Sequence, residues 1–178
     1  SVAVPPARRF NRGRDPKERG FLMVEDDPHQ RMQNNPAERA VLGAMLMERD
    51  AIFVVRDLGM TATDFYAPVH AKVFRAIMDD FAEDAKGVGP VDILTVYDLL
   101  QKRDQLDEIG GISYLKTIQA DCPTAAGVPR YAAIVLEHSR RRQALAALAV
   151  AKQQLLDFAD LGETLPRLQE TLCRLLPG

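Results

Sequence analysis

The chain has 178 residues, 47% of them hydrophobic, 27% charged, and a formal net charge of −2. That apolar content suffices for one domain or a domain with an appendage. The near balance of charge argues against a dedicated nucleic-acid clamp, which needs a clear basic excess. Two cysteines, Cys122 and Cys173, are too few for a disulfide framework and read as small hydrophobes in a reduced cytosol. No apolar run approaches the ~20 residues of a membrane span.

Residues 1–33 carry Pro5, Pro6, Pro16 and Pro28 and little apolar periodicity, and read as an unstructured arm. Arg8, Arg9, Arg12, Arg14, Lys17 and Arg19 cluster there. They read as a solvated tail, with an electrostatic arm for nucleic acid as the functional alternative. Phe21-Leu22-Met23-Val24 is an apolar island within it.

Order begins at Asn35-Pro36, a cap followed by a proline suited to a first helical turn. Ala37, Ala40, Val41, Ala44 and Met45 then recur at helical spacing. A second helix is predicted from Ala51 to Leu58, stopping at Gly59. Asp64-Phe65-Tyr66 is a connector with two aromatic core anchors. His70, Val73, Phe74, Ile77, Met78 and Phe81 form the stripe of a third helix. On that stripe Phe74 reads as a core anchor and His70 as a satisfied core histidine that fills space with one hydrogen bond. Gly87, Gly89 and Pro90 break the chain. Asp92 caps a fourth helix with Ile93, Val96, Tyr97 and Leu100 on one face. After the Gly110-Gly111 turn, Ser113 is expected to cap a short helix through Ile118, closed by Pro123.

From Pro129 to Phe158 the chain has no internal glycine or proline and many alanines. A helix there, at ~1.5 Å per residue, is about 40 Å long and should project from a small head. Leu145, Leu148, Ala151, Leu155 and Phe158 form its distal stripe. Gly162 marks a turn, and Thr164 can cap a return helix with Leu165, Leu168, Leu172 and Leu175 at heptad-like spacing. The return helix is too short to stand alone in water. The expected fold is therefore all-α: a small multi-helix head over residues 34–128, then a projecting antiparallel helical hairpin over 129–178. The two leucine stripes hold more apolar surface than one thin hairpin buries within itself, so Leu145, Leu148, Leu155, Phe158, Leu165, Leu168 and Leu172 are candidate self-association residues.

Catalytic signatures are missing from this pattern. No G-x-x-x-x-G-K-[ST] phosphate loop and no G-x-G-x-x-G occurs. His29, His70 and His138 have no metal spacing with one another or with cysteine. Asp79 and Asp80 are neighbours on a helix and point apart, a poor acid/base pair. Arg140-Arg141-Arg142 could touch phosphate or an acidic partner, or form an exposed face with ordinary ion pairs.

Taken in order, Pro36-Ala37-Glu38-Arg39-Ala40-Val41-Leu42-Gly43, Asp64-Phe65-Tyr66 with His70 and Phe74, Pro90-Val91-Asp92, Gly110-Gly111-Ile112-Ser113-Tyr114-Leu115 and Cys122-Pro123-Thr124-Ala125-Ala126 resemble the amino-terminal domain of the bacterial replicative DNA helicase (DnaB-like). The resemblance covers Pro36 to Glu137, with a weaker similarity of pattern to Leu176. Arg39 stands where the family usually has glutamine, and Gly127 where it usually has asparagine. The resemblance implies a cytoplasmic protein acting at replication forks, whose parent is a ring-shaped hexamer that unwinds DNA with ATP and magnesium held in a separate motor domain. This chain then needs no cofactor of its own. It implies self-association as dimers or a trimer of dimers, with primase and in some bacteria a loader as partners, and DNA contact mainly through the motor. Primase docking is expected where a head meets a hairpin. Tyr114 reads there either as a surface anchor or as a core residue with a hydrogen-bonded hydroxyl, and Leu145 either as a docking residue or as part of the hairpin seam. The competing function is a stand-alone helical DNA-binding module using its arginine-rich segments.

Overall fold

A computed structural model describes residues 34–83 and 91–176. The basic arm, the Phe21–Val24 island, His29, the Gly87-Gly89-Pro90 break and the terminal Pro177-Gly178 lie outside the described residues. The described residues form α-helices and two short 3-10 turns, with no strand among them.

Helix α1 spans Asn35–Met47, and the Asn34 side chain accepts from the Ala37 N–H at 3.0 Å. The cap is thus Asn34, one residue before the expected Asn35. Shifting it keeps Pro36 within the first turn, where a missing N–H costs no helical bond. Helix α2 (Arg49–Asp57) starts two residues earlier than its apolar stripe, and Gly59 follows at φ 69°. Helix α3 (Pro68–Glu83) opens on a proline, and α4 (Ile93–Lys102) is capped by Asp92, whose Oδ1 accepts from the Leu94 N–H at 3.1 Å. A one-turn helix, α5 (Leu106–Ile109), was not legible as periodicity and joins α4 to α6 (Gly111–Asp121). Ser113 therefore lies inside α6 and is not its cap. Gly110 occupies the cap position at φ 91°, a backbone conformation open to glycine that ends one helix and starts the next.

Helix α1 runs through the centre of the head, with Val41, Leu42 and Met45 fully enclosed by Ile52 and Val55 of α2, Val73 and Ile77 of α3, and Leu115 and Ile118 of α6. Val96 and Leu100 of α4 are equally buried. A Cβ on Gly43 would lie 2.4 Å from the Ile118 carbonyl oxygen and 2.7 Å from Cys122 Cβ. The glycine is what lets α1 and α6 approach this closely.

Phe65 is buried with its ring centroid 5.0 Å from that of Phe74, which is also buried, as is His70. Tyr66 departs from the expectation of a core anchor, with 37% of its surface exposed. Consecutive residues of an extended segment point to opposite sides, so seating Phe65 turns Tyr66 outward.

Helix α7 (Val128–Leu156) is longer than any other helix described, about 40 Å at 1.5 Å per residue. Its first half belongs to the head: Val128, Ala132, Val135 and Ser139, spaced by three and four, are buried. Packing therefore divides head from hairpin well inside α7, near Gln143, although the helix itself begins at 128. The return helix α8 (Leu161–Arg174) is capped by Asp160, which accepts from the Gly162 N–H at 2.9 Å. Gly162 thus lies in the first helical turn, not in the loop, and Thr164 is a buried seam residue, not a cap. Phe158 makes the reversal instead, at φ 57° and 95% exposed. It is outside the helical stripe to which its spacing assigned it.

Candidate docking surfaces

Among the described residues, two surfaces carry the positions that the sequence singled out for docking and assembly. One is on the head, around Tyr114. The other runs along the hairpin.

At the head, Glu38 is buried on α1. Its Oε1 accepts from the Tyr66 N–H at 2.7 Å, and its Oε2 accepts from the Ala67 N–H at 3.3 Å. His70 Nδ1 lies 2.5 Å from the same Oε2, and His70 Nε2 lies 2.8 Å from the Tyr114 hydroxyl. A carboxylate offers only acceptor sites, so Nδ1 carries the hydrogen toward Glu38, and in the neutral ring Nε2 accepts from Tyr114. His70 is thus the middle of a buried polar network and not a space-filler with one bond. Tyr114 is half-buried, its ring parallel to that of His70 with centroids 6.2 Å apart. Burial pushes the Tyr114 phenol above its ordinary value, and the nearby Arg39 guanidinium opposes that shift. Arg39 reaches across to Asp121 at 3.2 Å, tying α1 to α6 beside this surface.

The connector that receives these bonds is held at its other end by Asp64. Asp64 Oδ2 accepts from the Thr61 N–H at 2.7 Å and from the Thr61 hydroxyl at 2.9 Å, closing a capping box around the 3-10 turn Ala62–Asp64. Ser139 of α7 donates to Asp64 Oδ1 at 2.7 Å, and Gln143 donates to Ser139 at 3.0 Å. Arg142 donates from Nη2 to the Asp64 carbonyl at 2.6 Å, with its guanidinium 5.6 Å from the centre of the Tyr66 ring. Sequence reading placed Arg142 in a basic triplet and Ser139 nowhere. The missed signal was the three- and four-residue spacing of Val128, Ala132, Val135 and Ser139, which places a hydroxyl on the buried face of α7.

The triplet does not act as one patch. Arg141 pairs with Glu137 one turn back at 2.9 Å, while Arg142 is directed at the connector. Asp79 pairs with Arg103, the residue just after α4, at 2.8 Å and is likewise a surface ion-pair residue. Among the described residues, no group of three or more His, Cys, Asp or Glu is placed to hold a metal ion.

On the hairpin, the seam between α7 and α8 is built from small and polar residues: Ala147, Ala151 and Gln154 face Thr164, Leu168 and Thr171. Of the expected stripe, Ala151 is buried, whereas Leu145, Leu148 and Leu155 are 41%, 46% and 40% exposed. On α8, Leu168 and Leu172 are half-buried and Leu165 is 50% exposed. Helical phase explains the split. Thr164, Leu168, Thr171 and Leu175 share one face of α8, while Leu165, Leu172 and Leu176 are turned about 100° from it at 3.6 residues per turn. By helical phase Leu148 and Leu155 are turned about 100° from Ala147 and Gln154, to that same side, while Ala146, Val150 and Arg167 line the groove on the other. One side of the hairpin is therefore a partly bare leucine face, with Leu172 half-buried within it. No described helix is long and apolar enough to cross a membrane, so lipid is not its cover as a spanning segment.

Comparison with known proteins decides the family. The DnaB-like helicase N terminal domain matches residues 30–137, more than half of the chain. The chain belongs to this family. It is 37% identical over 145 residues to the replicative DNA helicase DnaB of Mycobacterium leprae, covering 82% of this chain and 20% of that protein. It is 35% identical over 143 residues to the replicative DNA helicase DnaC of Bacillus subtilis, covering 79% of this chain and 30% of that protein. Against DnaB of Geobacillus stearothermophilus it is 40% identical over 111 residues, 62% of this chain and 23% of that protein. The chain thus spans less than a third of the length of these relatives. The crystal structure of the N-terminal domain of DnaB helicase from Mycobacterium tuberculosis matches with a TM-score of 0.71 at 35% identity, covering 80% of this chain and 97% of that one. The all-α fold is that of the DnaB amino-terminal domain, and the chain is related to replicative DNA helicases through that domain.

Proposed function

We propose that this chain is the collar of a hexameric replicative helicase: it assembles the ring through its hairpin and receives primase, or a loader, on the head and hairpin. The observation that carries the reading is the partly bare leucine face. Each leucine left in water forgoes ~1.5–3 kcal/mol of burial, and a second hairpin offers the same side-on arrangement of leucines in return. Such self-complementarity is what an isologous dimer requires. Within this reading, ATP and magnesium belong to the parent's motor, and this chain needs neither.

Docking of primase falls on the exposed positions next to that assembly. Leu145 is bare and lies just beyond the part of α7 that the head covers. Tyr114 presents part of its ring at the head surface while its hydroxyl is held from behind, a rigid aromatic of the kind that anchors interfaces. The competing DNA-binding reading is disfavoured by the dispersal of Arg141 and Arg142 into separate contacts.

Titration of the primase carboxy-terminal domain into the full chain by calorimetry tests the reading. Micromolar binding that Tyr114→Ala and Leu145→Ala weaken, with fold and oligomer retained, supports docking here. Unchanged affinity in both variants moves the site elsewhere on the collar. Binding of single-stranded DNA that falls steeply with salt would favour the DNA-binding module instead.

A further inference from the structure

The polar contacts of the head form two sets, one reaching a surface residue and one at the base of the hairpin, joined by the backbone of the connector between them. The first runs from the Tyr114 hydroxyl to His70, from His70 to Glu38, and from Glu38 to the backbone of Tyr66 and Ala67. Asp64, two residues before Tyr66 in the same connector, meets Ser139 and Arg142 of α7, and Gln143 closes on Ser139. The carboxylate of each set holds one end of a seven-residue connector, Thr61 to Ala67, that has no regular helix of its own beyond a single 3-10 turn. Glu38, Asp64, His70 and Ser139 are all buried, so a partner lost from any of them is not readily replaced by water.

We propose that Glu38 and His70 are positioning residues for the Tyr114 surface, and that the connector couples this surface to the seating of α7, so that a protein bound at Tyr114 changes how firmly the hairpin is held. The proposal rests on the docking reading above for its partner, but the coupling is a property of the free chain. If the Tyr114 hydroxyl turns to a partner, His70 loses the group that fixes its ring. Glu38 then shares a less constrained donor and holds the Tyr66 and Ala67 amides less tightly. The Asp64 contacts to Ser139 and Arg142 follow, because they depend on where the connector lies. Direct apolar packing of α1 on α7 does not pass through these atoms and serves as the comparison.

The test is a double-mutant cycle in the full chain with Tyr114→Phe, Ser139→Ala and both together, read by site-resolved amide hydrogen exchange. Tyr114→Phe removes one hydroxyl and no ring. The expected result is faster exchange at Tyr66, Ala67 and the 139–143 stretch of α7, with the two substitutions non-additive there by about 2- to 30-fold in rate. Leu100→Val, which weakens the head without touching either set, should raise exchange across the head without singling out those amides. Additive effects, or changes confined to α6, would overturn the coupling. Calorimetric titration of the primase carboxy-terminal domain into the same Tyr114→Phe chain separates the two ideas. Non-additive exchange with unaltered primase affinity would remove Tyr114 as the docking point and leave the coupling, whereas weakened affinity with additive exchange would do the reverse.

Discussion

The head and the distal hairpin use the same helical alphabet to opposite ends. In the head, the large aliphatic side chains of α1, α2, α3, α4 and α6 share one core, and Val41, Leu42, Ile52, Ile77, Leu100, Leu115 and Ile118 are all fully enclosed. In the hairpin beyond Gln143, the buried positions are Ala151 and Thr164, Leu168, Leu172 and Leu175 are half-buried, and Leu145, Leu148, Leu155 and Leu165 are exposed. The seam holds mostly small and polar side chains around Leu168, and most of the leucines lie outside it. The head is built to fold on its own chain. The hairpin leaves much of its apolar surface uncovered.

The largest expected effect comes from the head core. Leu115→Ala, at a fully buried site where α6 meets α1, should cost about 2–5 kcal/mol, whereas Leu148→Ala on the hairpin should change monomer stability by no more than about 0.5 kcal/mol. Denaturant titration of both at low protein concentration measures the difference. Comparable losses would break the distinction between the two regions.

Next comes the buried network. His70→Gln removes a ring that serves Glu38 and Tyr114 at once and should cost about 1–3 kcal/mol, visible as a lowered melting temperature. A melt unchanged from the parent chain would return His70 to the space-filling role that its place on an apolar stripe suggests. Gly43→Ala should fall in a similar range, about 1–3 kcal/mol, because the added carbon meets the Ile118 carbonyl, which is backbone and cannot rotate away. A neutral result would show that α1 and α6 can separate more freely than their spacing implies. A smaller loss belongs to the surface of the head: Asp92→Ala should cost about 1 kcal/mol through the lost cap of α4, measured by the same denaturant series.

These expectations show which parts of the molecule periodicity could reach. Val41, Val73, Phe74 and Leu100 were legible because a stripe recurring every three or four residues has to face a core. Asp92 was legible because its cap is written in one residue and its neighbours. Tyr66 was not, since aromatic type carries no information about which way a residue in an irregular connector turns. Ser113 and Gly162 were misread for the opposite reason: each is a residue type suited to a helix boundary, and the boundary was taken by a neighbour, Gly110 or Asp160, whose geometry served better. The polar network was invisible because its members are up to 78 residues apart in the chain, and spacing rules compare only near neighbours. The hairpin face was half legible. The leucines and their surplus over what the hairpin buries were found, but spacing did not show that Thr164 and Thr171 join Leu168 on the seam face of α8. The family motifs carried the relationship to replicative helicases, and no periodicity argument alone would have done so.

The central claim is that the hairpin is finished by a second hairpin. Sedimentation equilibrium of the full chain against a Leu165→Asp/Leu172→Asp variant tests it most directly. Both substitutions lie on the partly bare side of α8, and the Ser139 and Arg142 contacts of the head are left in place. The account predicts a dimer or larger species at tens of micromolar for the parent chain, and a monomer with an unchanged melting temperature of the head for the variant. Two monomers, or two oligomers of the same mass, would contradict it.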